Sequence, residues 1–449
     1  MKRIYLCLAH MSETGEEQKY VQEAFDTNWV VPLGPNVNGF EEDLRQFIMH
    51  NAQCTIVPEI ENKRVVALSS GTSAVHLALI ACGVGPGDEV LVQSFTFCAS
   101  SHPVTYLGAT PVFIDSEPET WNMDPELLEE AVKDRIAKTG RKPKAIIPVA
   151  LYGMPYRIDR IMEIADRYGI PVIEDAAEGF GSRFNGQVLG TFGRYGVLSF
   201  NGNKMITTSG GGALITPDED SWREIMMYAT QYRESYPYYQ HEKIGYNYRM
   251  SNVCAGIGRG QMTVANDHIA HHRHVQKLYE ELLRDVDGIN VHSQPQTGEY
   301  DSNYWLCTIT IDEDVRIKGQ EEAYKTMVTG AVGGAAGVIH AAKSATTDCQ
   351  PNDNVEALRV ALDKAGIEAR PVWKPMHKQP VYCRTIENGK LRIENLPCGA
   401  ICQTSATSVA YVNGVSEAIF KIGMCLPAGP YVSDEDVRYI VKTIKESIV

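Results

Sequence analysis

Four short segments place reactive or ligand-holding residue types directly after apolar runs. In VLSFNGNKMITTSGGGAL, Lys204 sits in a polar turn behind VLSF. A lysine confined there can lose its charge through desolvation or a nearby cation and attack a carbonyl as a Schiff-base nucleophile. In PVIEDAAEGFGS, Glu174, Asp175 and Glu178 follow a buried run. Burying an isolated charge is costly, so a carboxylate there needs a partner, and Asp175 suits a protonated ring nitrogen. In ALSSGTSAVHLAL, Ser70-Gly71-Thr72-Ser73 opens an apolar helix. Glycine lets the backbone approach a ligand closely, and the free N–H groups of a helix start favour an anion. In SFTFCASSHP, Phe97 is placed to lie flat on an aromatic ligand.

Taken singly, each segment has a plainer reading. Ser70, Thr72 and Asp175 cap helices, Lys204 lies on the surface, and Phe97 belongs to the core. Together they supply an anion cradle, a stacking ring, a carboxylate for a pyridinium and an amine for an aldehyde, which is what pyridoxal 5'-phosphate requires. The run around Lys204 lacks the G-x-x-x-x-G-K-[ST] pattern of a nucleotide P-loop.

The elements around these segments are consistent with such a site. From about 60 to 215, β-rich runs (RVVALSS, EVLVQSF, TPVFIDS, KAIIPVAL, PVIEDAA, YGVLSF, GGALIT) alternate with helical spacing such as RIDRIMEIADRYG. Strands apolar on both faces and alternating with helices predict a mostly parallel sheet in an α/β domain. Ligands in such sheets bind beyond the carboxyl ends of the strands, where all four segments fall. After about 250 a long connector helix, GIGRGQMTVANDHIAHHRHVQKLYEELLRDV, leads into YWLCTITID, NVEALRVALDKAGIEARPVW and DEDVRYIVKTIKESI, a smaller α+β domain. The expected division is 1–255 and 256–449. Segments near 318–350, Gly/Ala-rich, and near 384–410 read as insertions forming surface loops.

The length of 449 residues suits two domains, and 44% hydrophobic with 22% charged residues excludes wholesale disorder. A net charge of −14 repels phosphate backbones and anionic surfaces, so neither nucleic acid nor a membrane is the expected partner. The 11 cysteines include no C-x-x-C pair, which argues against a zinc ribbon, and thiols such as Cys82 in LALIACG read as small buried hydrophobes in a reducing compartment. MKRIYLCLAHMSETGEE meets acidic sequence rather than a small-residue cleavage site, so the expected location is the cytoplasm. His268, His271 and His272 have i, i+3, i+4 spacing that could hold a metal, but a solvated helix face is the preferred reading and no metal is expected.

The chain resembles the DegT-type nucleotide-sugar aminotransferases, a fold-type I pyridoxal phosphate family. The resemblance is carried by NWVVPLGPNVNGFE, SSGTSAVHLAL, GATPVFID, EDAAEGFGS, SFNGNK, GYNYRMSNVCAGIGRGQ, RPVWKPMHKQPVY and GVSEAIFKIGMCLPAG, and so runs through most of the sequence. It implies that Lys204 forms the Schiff base, Asp175 partners the pyridine nitrogen and Glu178 lies near the phenolic oxygen. It further implies that Phe97 stacks on the ring, that Gly71, Thr72 and Ser199 hold the phosphate, and that Asn247 reaches the phosphate of a neighbouring subunit in a homodimer with shared sites. Lysine at 204 separates the chain from a related deoxygenating dehydratase, which has histidine there. FDTNWVVPLGPNV, SFNGNK and RPVWKPMH look most like the 4-aminotransferases of diacetamido-sugar (bacillosamine-type) synthesis. That branch implies a UDP-linked 4-keto-6-deoxy-N-acetylhexosamine acceptor and L-glutamate as donor. A dTDP-ketosugar or inosose aminotransferase, a pyridoxal-dependent dehydratase and a silent cofactor-binding regulator are the alternatives. Asn28, Trp29, Trp373 and His377 contact sugar or uracil, or else pack. Arg249 grips the donor carboxylate, or else braces a dimer interface.

Overall fold

The apolar runs of the first half become the strands of one sheet in a computed structural model that describes residues 3–50, 58–324, 349–382, 384–387, 390–393, 402–404 and 408–449. In spatial order they are Arg64–Leu68, Gly212–Thr216, Tyr195–Ser199, Ile173–Asp175, Ala145–Ile147, Glu89–Gln93, Thr110–Ile114 and Ser408–Tyr411. Parallel bridges from Ile146 to Val172 and from Val149 to Asp175 join the two halves. Gly212–Thr216 runs antiparallel to both its neighbours, Cys402–Thr404 pairs antiparallel with the far side of Ser408–Tyr411, and the other pairings across the sheet are parallel. Alternate side chains feed two cores, one on each face. Val65, Ala67, Leu91 and Ile146 enter one, while Val66, Leu68, Val92 and Ile147 enter the other. Both faces are therefore covered, as the uninterrupted apolar runs require.

A second sheet, wholly antiparallel, follows the order Ile289–Val291, Cys307–Ile311, Gly423–Leu426, Arg370–Pro371. Helices Ala265–Leu283, Asp353–Lys364 and Asp434–Ser447 close its core through Val275, Leu358 and Ile440.

Two expectations change. Ser408–Tyr411, read as part of a surface loop, extends the large sheet beside Thr110–Ile114, with Val409 opposite Val112. A β-branched and aromatic run is well suited to the open edge of that strand, and Tyr411 buries its ring there while donating to Asp134. Arg384–Glu387 and Lys390–Ile393 pair as well, whereas most of the Gly/Ala-rich insertion lies outside the described residues. His268, His271 and His272 of Ala265–Leu283 do not form a solvated face. His268, His272, Val275 and Tyr279 share the core side of the helix, where i, i+4 spacing aligns them. Each histidine bonds a different carbonyl: His268 that of Met205, His271 that of Val432 and His272 that of Tyr304. Burial pushes the His272 imidazole down to about 3.

Cys7, Cys307, Cys349 and Cys425 are buried, whereas Cys82, Cys98 and Cys254 are partly exposed. No described helix is long and apolar enough to cross a membrane.

Candidate active site

The carboxyl ends of Arg64–Leu68, Tyr195–Ser199 and Ile173–Asp175 open onto one cavity of about 310 Å³. Asp175 closes the strand Ile173–Asp175 and is buried. One carboxylate oxygen accepts from the Ser100 hydroxyl at 2.6 Å and the other from the Ala177 N–H at 3.2 Å. Burial pushes its carboxyl above the usual range, opposed by those bonds and by Lys204. A buried carboxylate with hydroxyl and amide partners only is a site for a cation.

Glu178, three residues on, accepts from the Tyr152 N–H at 2.7 Å and lies 3.4 Å from the Lys204 amine. Burial raises this carboxyl too, with Lys204 opposing. Lys204 reaches the same space from the turn after Tyr195–Ser199, its N–H donating to the Asn201 carbonyl at 2.9 Å. Glu174 has a different task. It is fully buried and collects the N–H groups of Gly190, Phe192 and Gly193, which fixes the loop before Tyr195–Ser199.

The anion cradle forms where Arg64–Leu68 turns into the helix Gly71–Ala81. Ser70 caps that helix by accepting from the Ser73 N–H at 3.0 Å. The earlier N–H groups, at Gly71 and Thr72, have no acceptor within the helix. The backbone of Gly212 passes so close that a Cβ there would sit 2.4 Å from the Gly71 nitrogen, so the cradle floor admits glycine only. Gly71, Thr72, Ser199 and Phe97 all line the cavity, and Phe97 presents a half-exposed ring 5.4 Å from that of Trp373. An anion cradle, a free aromatic face, an unpaired buried carboxylate and an amine thus converge. This donor set fits pyridoxal phosphate: Gly71, Thr72 and Ser199 for the phosphate, Phe97 for the ring face, Asp175 for the ring nitrogen and Lys204 for the aldehyde.

The proposed substrate residues separate. Trp373 lines the cavity, its backbone N–H donating to the Tyr152 hydroxyl at 2.7 Å. His377 does not. It is buried with one ring nitrogen 2.6 Å from the Ser94 hydroxyl and the other 3.1 Å from Glu417, which leaves nothing for a sugar. Glu417 is itself half buried, yet hydrogen bonds from His377 and Lys378 hold its carboxyl down to about 2. Arg249 is spent inside the fold as well: its guanidinium meets Glu41 at 2.5 Å and the Ala67 carbonyl at 3.0 Å. Glu41 is pushed up by burial and Arg249 opposes that shift, so withdrawing the arginine toward a donor carboxylate would strand a buried acid. Asn28 adopts a left-handed turn and Trp29 lends its carbonyl to Asn252; neither lines the cavity. Asn247 is exposed, bridged to Thr230, and likewise outside the cavity of its own chain.

Sequence reasoning missed three contributors. Ser100 orients Asp175. Tyr152, in a left-handed conformation with φ of 54°, links Glu178 to Trp373. Trp305 lays its ring 4.0 Å from the Lys204 amine. Only Trp305 left a signal, as an indole among strand residues in YWLCTITID.

Residues 11–336 match the model of the DegT/DnrJ/EryC1/StrS aminotransferase family. The chain is 38% identical to a Bacillus subtilis (strain 168) protein named as the pyridoxal phosphate-dependent aminotransferase EpsN, over 99% of this chain and 95% of that one. It is 31% identical to the GDP-perosamine synthase of Escherichia coli O157:H7, over 98% of each. Among solved structures, a DegT DnrJ EryC1 StrS aminotransferase from Brucella abortus superposes with a TM-score of 0.75 at 25% identity, covering 96% of this chain and 95% of that one.

Proposed function

The chain belongs to the DegT/DnrJ/EryC1/StrS aminotransferase family and is a pyridoxal phosphate-dependent nucleotide-sugar aminotransferase; from that premise we propose that it moves an amino group from L-glutamate to the C4 ketone of a nucleotide-linked 4-keto-6-deoxysugar. The observation that carries the reading is the placement of Lys204 and Asp175 at one cavity, the amine beside Glu178 and the buried carboxylate held by Ser100. Pyridoxal phosphate, when bound, supplies the aldehyde that carries the amino group and the ring that draws electrons from the reacting carbon. The chain supplies the rest. Asp175 keeps a proton on the ring nitrogen. Lys204 anchors the cofactor and, once released, moves the proton between the reacting carbons. Phe97 and Trp373 wall the cavity beside this amine and carboxylate.

As acceptor we favour the UDP-linked 4-keto-6-deoxy-N-acetylhexosamine indicated by the segments around Asn28, Lys204 and Trp373. A GDP-linked acceptor is the second reading, supported by the full-length likeness to a relative named GDP-perosamine synthase. The holoenzyme, given L-glutamate and each of the UDP-, GDP- and dTDP-linked 4-keto-6-deoxysugars, should yield a 4-amino product from the UDP sugar, with 2-oxoglutarate in equal amount. Amination confined to another nucleotide would overturn the acceptor assignment. Ammonia release without glutamate consumption would overturn transamination.

Asn247 lies on the exposed surface of its own chain, and we place it at the phosphate of a partner copy in a homodimer with shared sites. Asn247→Ala should weaken cofactor retention, and mixing Lys204→Ala chains with Asn247→Ala chains should rescue it, since each mixed dimer contains one complete site. Absence of restoration in verified mixed dimers would count against site sharing.

A further inference from the structure

We infer that Trp305 is the positioning residue of the Lys204 amine, a role that rests on reading Lys204 as the nucleophile. Trp305 precedes the strand Cys307–Ile311 of the second sheet, whereas Lys204 follows a strand of the first, so the contact crosses between the two sheets. The indole is 2% exposed and grips Lys204 at both ends. Its Nε1–H donates to the carbonyl of Asn203 at 2.7 Å, fixing the peptide that leads into Lys204. Its ring centroid lies 4.0 Å from the Lys204 amine, within the range at which an aromatic face attracts an ammonium. The backbone that carries the indole is in turn held. The Asn303 side-chain oxygen accepts from the Trp305 backbone N–H at 2.8 Å, and its amide donates to the carbonyls of Glu178 and Phe180, both at 2.9 Å. The platform under the amine and the carboxylate beside it therefore belong to one hydrogen-bonded unit.

The consequence is steric and electrostatic. A lysine side chain has four rotatable carbons and swings freely unless held. Here Glu178 attracts the amine from one side and the Trp305 face from another, so an amine that is not covalently engaged stays inside the cavity. The other ionisable groups that act on it are Asp175 and the Cys7 thiol, and burial keeps Cys7 neutral by pushing it up to about 12. No cation among these competes for the ring face.

The test uses Trp305→Leu, which removes the aromatic face, and Trp305→Phe, which keeps a face but removes the N–H and leaves a gap. In cofactor-free protein at pH 8, modification of Lys204 by trinitrobenzenesulfonate, followed by peptide mass spectrometry, should be about fivefold faster in Trp305→Leu than in wild type, and within about twofold of wild type in Trp305→Phe. In the holoenzyme, Trp305→Leu should lower kcat of the glutamate half-reaction about tenfold with KM within about twofold, and Trp305→Phe should recover most of it. Equal acceleration of labelling in both variants would mean that the indole only fills space, and no change in either would mean that it does not hold the amine; both results overturn the proposal. Borohydride treatment of wild-type holoenzyme should fix the cofactor at position 204. Its failure there would instead refute the reading of Lys204 itself.

Discussion

Replacing Lys204 by alanine should lower transamination by about ten-thousand-fold or more, because on the proposed reading one substitution removes both the covalent anchor of the cofactor and the group that transfers the proton. Positioned proton transfer alone contributes about a hundred- to ten-thousand-fold, so the combined loss lies at or beyond the upper end of that range. The variant still has Gly71, Thr72, Ser199, Phe97 and Asp175 around the cavity, so it retains cofactor weakly. Lys204→Arg is the informative companion. It keeps a cation beside Glu178, 3.4 Å from the native amine, and under the Trp305 face, but it cannot attack an aldehyde. Its turnover should fall as far as that of Lys204→Ala while its circular dichroism and melting remain close to wild type. Transamination near the wild-type rate in either variant would refute the assignment.

With Asp175 as the proposed partner of the ring nitrogen, Asp175→Asn should lower kcat by about a hundred- to a thousand-fold, the usual cost of removing one fixed electrostatic group aimed at developing charge. The amide is close to isosteric and can still accept from Ser100, so packing is preserved, but it cannot hold a proton on the ring nitrogen. Stability should move the other way in cofactor-free protein. Burial raises the Asp175 carboxyl above its unfolded value of about 3.9, so the folded state favours the protonated form. This group thus favours folding at low pH and works against it as pH rises through its folded value. Glu178 shifts in the same direction, with Lys204 opposing, and stays in place in both proteins. Cofactor-free Asp175→Asn should melt above wild type at pH 8, and the gap should close toward pH 4. Saturating cofactor should reverse the order, since a ring cation then pays for the buried charge. A cofactor-free mutant that melts below wild type at pH 8 would show that Asp175 already has its cation within the protein.

Much of the cofactor site could be read from the chain because its parts are local. Lys204, Asp175 and Gly71 each follow an apolar run by a few residues, and a strand buried on both faces delivers whatever follows it to the same edge of the sheet. The substrate residues were less legible. Arg249 and His377 have the right chemistry for anions and sugars, but Glu41, Ser94 and Glu417 occupy them, and those partners are distant in sequence. Trp305 is the converse case. Its strand was expected, yet nothing in YWLCTITID shows that the indole turns toward Lys204, with its Nε1–H 2.7 Å from the Asn203 carbonyl. The strand Ser408–Tyr411 was missed for a related reason: β-propensity cannot reveal that Thr110–Ile114 offers an open side to a segment so far along the chain.

By itself, then, the sequence determined the alternating α/β domain, the second α+β sheet and the order in which lysine, carboxylate and anion cradle are delivered, because periodicity and turn chemistry act over neighbouring residues. The tertiary structure alone decided which polar side chains remain available to a ligand and which are consumed in the interior. Availability depends on partners that burial makes obligatory, and those partners are chosen by packing between segments hundreds of residues apart.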